Sequence, residues 1–252
     1  MFATYPSLAD RVVLITGGGS GIGAELVRAF AGNGARVAFL DVNEEASEAL
    51  VASLGEAQHR PVFVPCDVRD IAALQAAIEQ VRQSLGLVAV LVNNAARDDR
   101  HEVDDVTPDY WDENIAVNLK HLFFAIQAVR PQMRELGFGS IVNLSSIGWM
   151  RGAARLAVYG SAKAAIVGLT RSIAGEFGAE NIRVNAIAPG AVVTERQLRL
   201  WYDETQLAEI VERQCLKQRL LPPDIARMAL FLAADDSRMI TKQTFIVDAG
   251  LI

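Results

Sequence analysis

Tyr159 and Lys163 stand four residues apart in Tyr159-Gly160-Ser161-Ala162-Lys163, at the start of an apolar helical pattern. An i, i+4 pair shares one helix face, which brings an ammonium group close to a phenol. A free tyrosine titrates near ~10, too high for a base at neutral pH, and a neighbouring cation stabilises the phenolate and lowers that value. Such a pair suits proton exchange with an alcohol. Ser146 lies thirteen residues earlier, closing the strand-like IVNLSS, where its hydroxyl can hold a reacting oxygen beside the phenol. Asn118 falls within the helical segment NIAVNLKHLFFAIQ. Singly, each has an ordinary structural use as a packing pair, a turn serine or a core amide. The four together define a candidate acid/base centre.

A second constellation opens the chain. Thr16-Gly17-Gly18-Gly19-Ser20-Gly21-Ile22-Gly23 follows the apolar run VVLI and leads into the helical AELVRAF. Glycines there allow a tight turn and a close approach of backbone amides to a pyrophosphate, whose charge the helix N-terminus stabilises. A ligand-free strand-to-helix turn is the competing use. A P-loop is excluded, because no Gly-Lys-Ser/Thr follows. Asp41 ends the next strand-like run, twenty positions after Gly21, and suits a hydrogen bond to an adenosine ribose 2′-OH. A turn or cap aspartate is the alternative, with Asn43 close behind. A carboxylate repels a 2′-phosphate, and residues 16–23 contain no Lys or Arg to neutralise one, so the expected cofactor is NAD rather than NADP.

Positioning these groups requires alternating elements. Short β-branched runs at 12–15, 36–40, 62–64, 88–92, 140–144, 182–187 and 244–247 alternate with amphipathic stretches such as 71–85, 110–136, 162–177 and 224–234. That order predicts right-handed βαβ crossovers and an α/β fold of the Rossmann type, a doubly wound, parallel, seven-stranded sheet. Apolar strands such as VVLI and VAVLV fit burial on both faces. No linker or repeat divides the chain, so residues 1–252 are expected to form a single NAD-binding and catalytic domain. The least regular stretch, about 192–218, is read as a substrate lid.

Composition narrows the partners. The 252 residues carry 24 Lys and Arg against 30 Asp and Glu, a formal charge of −6, with 51% hydrophobic and 21% charged residues; the pI is about 5.2 and the mean hydropathy +0.22. Disorder is excluded by the apolar content. Nucleic acid is disfavoured because no basic face is supplied. Cys66 and Cys215 form no zinc or disulfide pattern, and His59, His101 and His121 form no metal-binding pair, so no metal is expected. No apolar run approaches the ~18 residues of a membrane span and no leader precedes the first strand, which reads as a cytoplasmic protein.

With these motifs in place, the chain resembles the short-chain dehydrogenase/reductase family over essentially its whole length, through TGGGSGIG at 16–23, CDV at 66–68, NNAA at 93–96, Asn118, Ser146, Tyr159-x-x-x-Lys163 and Pro189-Gly190 followed by Thr194. The resemblance implies that Tyr159 is the acid/base and that Lys163 lowers its pKa while holding the nicotinamide ribose. It further implies that Ser146 orients the substrate oxygen and Asn118 supports a proton relay. Gly17, Ser20, Gly21, Ile22 and Gly23 would cradle the dinucleotide, Asp67 and Val68 would flank the adenine, and Asn94 would contact the adjoining ribose. Pro189, Gly190 and Thr194 would border the nicotinamide end. Family members commonly form tetramers, and a homotetramer is expected here.

The substrate is addressed by Arg97-Asp98-Asp99-Arg100-His101, which leaves a central strand beside the expected nicotinamide. A solvated loop is its bland use; as a site, Asp98 and Asp99 can bind hydroxyls. Trp149, Arg151, Trp201, Tyr202 and Gln214 occupy the other bordering segments, where aromatic faces can cover a sugar ring and polar groups its hydroxyls. NNAARDDRH, DYWDENIAVNLKH, RLWY, QCLK and the ending VDAG resemble the aldose 1-dehydrogenase branch, whose substrates include D-xylose, L-arabinose and L-fucose. The implied reaction is oxidation of a cyclic aldose at C1 to its lactone. The alternative within the family is reduction of a 3-oxoacyl thioester, which calls for basic residues and NADPH. A nucleotide-binding sensor that had lost catalysis is the alternative outside enzymes, and the intact Ser, Tyr and Lys speak against it.

Overall fold

The seven β-branched runs pair into one all-parallel sheet, in the order β3-β2-β1-β4-β5-β6-β7. The structure, a computed structural model, describes residues 3–252. The strands are β1 Val12–Thr16, β2 Arg36–Asp41, β3 Val62–Pro65, β4 Val88–Asn93, β5 Gly139–Leu144, β6 Ile182–Pro189 and β7 Thr244–Val247. The order reverses between β1 and β4, which opens a crevice at the C-terminal ends of the strands where this architecture binds ligands. Thr16 is in register with Asn93, and Asn93 with Asn143, so the C-terminal ends lie level there.

Burial on both faces explains the continuous apolar strands. Val13 and Ile15 of β1 point into one core, with α1 (Gly21–Gly32) and the last long helix (Pro222–Ala233); Val12 and Leu14 point into the other, with α3 (Ile71–Leu85). The helix α2 (Glu44–Ser53) is capped by Asn43, whose side chain accepts from the Ala46 N–H. The bounds of α3 are those the apolar spacing predicts, and Asp70 caps it. Among the described residues no helix is long and apolar enough to cross a membrane.

The expected helix 110–136 is instead three pieces: α4 (Pro108–Ile115), a π-helical turn (Ala116–Lys120) and α5 (His121–Leu136). Such wider turns recur at functional sites, and this one carries Asn118. The next helix, α6 (Ala157–Phe177), begins five residues before the expected Ala162, so Tyr159 lies in its first turn. The expected irregular stretch 192–218 holds two helices, α7 (Glu195–Leu200), capped by Thr194, and α8 (Glu204–Arg213), opened by an Asp203–Gln206 capping box. The Pro222–Ala233 helix is α9.

Leu91 is fully buried in the central strand β4. Leu91→Ala is expected to lower unfolding free energy by about 3 kcal/mol, read as the shift in a urea denaturation curve; an unshifted midpoint would show that this strand's packing does not hold the fold.

Candidate active site

A buried polar ladder sets α6 against the sheet. Asn93 Nδ2 donates to Asn143 Oδ1 at 2.8 Å, and Asn143 Nδ2 donates to Thr170 Oγ1 at 3.0 Å. Ser145 Oγ donates to the Lys163 carbonyl at 2.7 Å, and Lys163 Nζ donates to the Leu144 carbonyl at 2.8 Å. The ammonium therefore reaches from α6 to the end of β5 and lies 5.6 Å from the centre of the Tyr159 ring. The Ser146 hydroxyl hydrogen-bonds to the Tyr159 phenol and accepts the Gly148 N–H at 3.0 Å. Ser146, Tyr159 and Lys163 thus meet, as their spacing predicts.

The electrostatics of the pair run opposite to the sequence expectation. Burial, chiefly, and the Asp98 carboxylate push the Tyr159 phenol above its usual range, while the Ser146 hydrogen bond and the Arg196 guanidinium pull it back; Tyr202 adds to the rise. Burial also pushes Lys163 down to about 7, opposed by Asp98. The physical reason is that Lys163 shares the dry environment of Tyr159, so desolvation penalises both charged forms.

Asn118 is fully buried and works on the backbone. Its Oδ1 accepts the Arg97 N–H at 2.9 Å, and its Nδ2 donates to the Arg97 carbonyl and to Asn114 O and Oδ1, at 3.0, 3.0 and 2.9 Å. It clamps the loop leaving β4. His101 clamps the same loop further on: its Nε2 accepts the Val158 N–H at 3.4 Å and its Nδ1 lies 2.9 Å from Tyr110 Oη.

The glycine turn fits a dinucleotide phosphate. Ser20 caps α1 without any side-chain bond, leaving first-turn amides for an anion. Gly17 is left-handed at φ +68°, and a Cβ on Gly23 would fall 1.8 Å from the Gly17 carbonyl, so the turn closes only with hydrogen there. Ile22 packs partly against the core. Asn94 Nδ2 donates to Thr16 O and Gly17 O at 3.1 and 2.7 Å, and Thr16 Oγ1 accepts the N–H groups of Asn94 and Ala95. Asp41 accepts the Gly19 N–H at 2.8 Å and the Asn43 N–H at 2.9 Å, combining a turn role with a carboxylate fixed beside the glycines. Asp67 is held by Arg69 through Nε and Nη2, which lowers its pKa, and the Val68 side chain is buried in the core. Pro189 ends β6 with its carbonyl accepting the Ile147 N–H, Gly190 donates to the Val247 carbonyl, and Thr194 Cγ2 lies 3.4 Å from where a Gly21 Cβ would stand.

The remaining predicted residues divide. Asp98 receives Arg196 Nη1 and, at 2.7 Å, Gln197 Nε2; Asp99 receives Arg196 Nη2 at 3.0 Å and pairs with Arg97. The Arg100 guanidinium lies over the Trp201 ring at 4.6 Å and the Tyr202 ring at 5.8 Å. Burial raises Tyr202, with Arg100 and Arg151 opposing. Trp149 Nε1, Trp201 Nε1 and Gln214 Oε1 are buried without a hydrogen-bond partner. Trp149 flanks Gly160, next to the phenol. Gln214 follows α8, and among the described residues no hydrogen bond joins it to Ser146, Tyr159 or the 97–101 loop. Sequence reasoning missed Thr16, Asn114, Ser145, Arg196 and Gln197. Thr16 and Ser145 act on backbone groups, for which residue type gives no signal, and Asn114 through its carbonyl and Oδ1 on Asn118; Arg196 and Gln197 act across nearly a hundred residues.

A family model described as enoyl-(acyl carrier protein) reductase matches residues 17–252. The chain is 52% identical to the "probable galactose dehydrogenase" of Rhizobium meliloti, over 98% of this chain and 97% of that one. It is 47% identical to the D-xylose 1-dehydrogenase of Caulobacter vibrioides, over 98% of each. The solved 3-oxoacyl-[acyl-carrier protein] reductase of Brucella melitensis superposes with a TM-score of 0.91 at 35% identity, over 98% of this chain and 93% of that one. With its Ser146–Tyr159–Lys163 centre beside a glycine turn on a seven-stranded parallel sheet, the chain belongs to the short-chain dehydrogenase/reductase family and is an NAD(P)-dependent oxidoreductase.

Proposed function

We propose that the protein oxidises a cyclic aldose, a pentose or 6-deoxyhexose such as D-xylose, L-arabinose or L-fucose, at C1 to the lactone, with NAD as cofactor. The observation that carries this reading is the polar cluster that the 97–101 loop makes with α7, together with buried polar groups left unpartnered in the segments bordering it. The charges of Asp98 and Arg196 act on Tyr159, Gln197 binds the same carboxylate, and the indole N–H groups of Trp149 and Trp201 are buried without partners. A cluster of this kind matches a molecule covered in hydroxyls and leaves unpaired groups against one that lacks them. Similarity to galactose and D-xylose dehydrogenases supports the same class.

The cofactor supplies the hydride acceptor. Amides of Ser20–Gly23 would hold its pyrophosphate, with Gly17, whose own N–H donates to the Leu40 carbonyl, giving the turn its close approach; Asp41 would hold its adenosine ribose, and the backbone at Asp67 and Val68 would flank its adenine. Asn94 braces the turn toward the adjoining ribose, and Pro189, Gly190 and Thr194 border the nicotinamide end. Ser146 holds the anomeric oxygen while Tyr159 takes its proton. Lys163 carries positive charge toward the phenolate as it forms, and Asn118 holds the proton's way out beside the π-helical turn. Residues 192–218 act as the lid, latched through Arg196 and Gln197. Trp111 and Phe123, each 45% exposed on α4 and α5, fit a homotetramer face. Reduction of a 3-oxoacyl thioester is the second reading, favoured by the match to the reductase of Brucella melitensis.

Tyr159→Phe is expected to lower kcat by roughly 10³-fold or more with NAD binding nearly intact by fluorescence titration; retained turnover would remove Tyr159 as the base. Asp41→Ala removes a charge-assisted hydrogen bond and should cut the NAD-over-NADP ratio of kcat/KM by about tenfold or more, and an unchanged ratio would reject its ribose role. A panel of pentoses, 6-deoxyhexoses and hexoses followed by NADH absorbance should give turnover with at least one aldose. Turnover of an acetoacetyl thioester alone would transfer the assignment to the second reading.

A further inference from the structure

Residues 192–218 leave the sheet and return beside their own point of departure. Val192 bridges to Leu220, and the Val193 N–H donates to the Leu220 carbonyl at 2.8 Å, so the excursion is closed at its neck. The end of the chain makes a second attachment. Beyond β7, the Gly250 and Ala249 carbonyls accept the N–H groups of Cys215 and Leu216 at 3.1 and 3.0 Å. Two consecutive left-handed residues aim those carbonyls, Ala249 at φ +58° and Gly250 at φ +74°. An alanine in that conformation is strained and persists only where its surroundings hold it. Asp248, itself buried, supplies the hold: its Oδ1 accepts the Gly250 N–H at 2.8 Å, and its Oδ2 accepts the Leu251 and Ile252 N–H groups at 3.1 and 3.0 Å. Gly190 seats this turn against the exit of β6, where a Cβ would stand 2.8 Å from the Asp248 Cα and Cβ.

Gln214 immediately precedes the first of the two attachments. The residue is 3% exposed, and its amide oxygen is buried without a partner. A buried acceptor left open is costly unless a donor fills it. Resting on the aldose reading proposed above, we infer that Asp248 is a positioning residue: by closing the turn at 249–250 it fixes the backbone directly after Gln214, and so holds that amide oxygen in place for a substrate hydroxyl. On its other side Gln214 is held by α8, its N–H donating to the Ile210 and Val211 carbonyls. The Ser146–Tyr159–Lys163 centre hangs on β5 and α6, whereas the turn hangs on β7, so one can be disturbed without the other.

Asp248→Asn keeps the volume but removes the charge and turns amide hydrogens toward main-chain donors, which opens the turn. The KM for the aldose should rise about fivefold to tenfold, as the fraction of molecules with the turn closed falls, with kcat held within about twofold. Gly250→Ala reaches the same end from the other side, since a Cβ there would stand 2.7 Å from Cys215 Cβ and 2.9 Å from its Sγ. Ala249→Gly relieves the left-handed alanine and keeps the native KM. Gln214→Leu raises KM as Asp248→Asn does. The double variant Asp248→Asn/Gln214→Leu raises it no further, because nothing is left to position.

The test is steady-state kinetics of these variants with the aldose that the panel identifies, alongside amide hydrogen exchange at Cys215 and Leu216 in the intact protein. Faster exchange at those amides in Asp248→Asn and Gly250→Ala, a raised KM with kcat held, and no added effect in the double variant support the inference. Unchanged exchange at both amides overturns it, because the end of the chain then does not hold the segment. Multiplying single effects in the double variant also overturn it, as does a lowered melting temperature with KM unmoved, the mark of a purely structural aspartate. Should Asp248→Asn not fold, Gly250→Ala carries the same comparison. Turnover of the acetoacetyl thioester alone would refute the aldose reading instead, while exchange at Cys215 and Leu216 would still decide whether Asp248 holds the segment.

Discussion

Burial of Lys163 is the constraint on which the site depends. Only 2% of the residue is exposed, and among the described residues its ammonium meets the Leu144 carbonyl but no carboxylate within ion-pair distance. An ammonium in that position is costly, since desolvation opposes its charge, and it is already pushed down to about 7. The cost is tolerable only where the helix cannot shift away. The Asn93–Asn143–Thr170 ladder and the Ser145 bond to the Lys163 carbonyl supply that rigidity, tying α6 to the ends of β4 and β5. Those residues are all buried and bonded to one another or to Lys163, so loosening α6 exposes several donors and acceptors to an apolar core at once. Stability and function therefore share one set of bonds.

The same economy governs the loop after β4. Its backbone is gripped at Arg97 by Asn118 and at His101 by the start of α6, through the Val158 N–H and the Arg155 carbonyl. On the other edge of the ring, Nδ1 faces Tyr110 Oη and the Asp99 carbonyl. The loop's acidic pair is thus presented from a rigid frame. A mobile loop would average Asp98 over many positions and dilute its effect on the phenol.

Much of this was legible in the sequence, and the boundary of legibility is physical. Strands buried on both faces announce themselves as apolar runs, and an i, i+4 Tyr–Lys pair has one geometry on a helix. Periodicity could not show that 110–136 is broken by a π-helical turn, because the apolar spacing continues through it while Asn118, at its centre, reaches sideways to Arg97. Nor could it give the sign of the Tyr159 perturbation. Spacing shows that a lysine is near, but whether that lysine keeps its charge depends on how dry the surroundings are, and dryness is a property of the packed whole. The two uses of Asp41, as turn acceptor and as candidate ribose ligand, are compatible: Oδ2 takes the Gly19 N–H and Oδ1 the Asn43 N–H, each keeping acceptor capacity for another donor.

The segment that carries α7 joins what the sheet keeps apart. Thr194, capping α7, stands against Gly21 of the dinucleotide turn, and Arg196, two residues on, stands against Asp98 beside the phenol. Glycine at position 21 is left-handed at φ +54° and has no side chain, which lets the threonine methyl approach. One turn of helix cannot move at one end without moving at the other, because its residues rise only about 1.5 Å each. Whatever occupies the turn at Gly21 is therefore felt, through Thr194 and the rigid start of α7, at the guanidinium that faces the acidic loop. The shortest α-helix among the described residues thus lies between the glycine turn and the acidic loop, and its position in the chain, directly after the Pro189-Gly190 exit from β6, is what brings both within its reach.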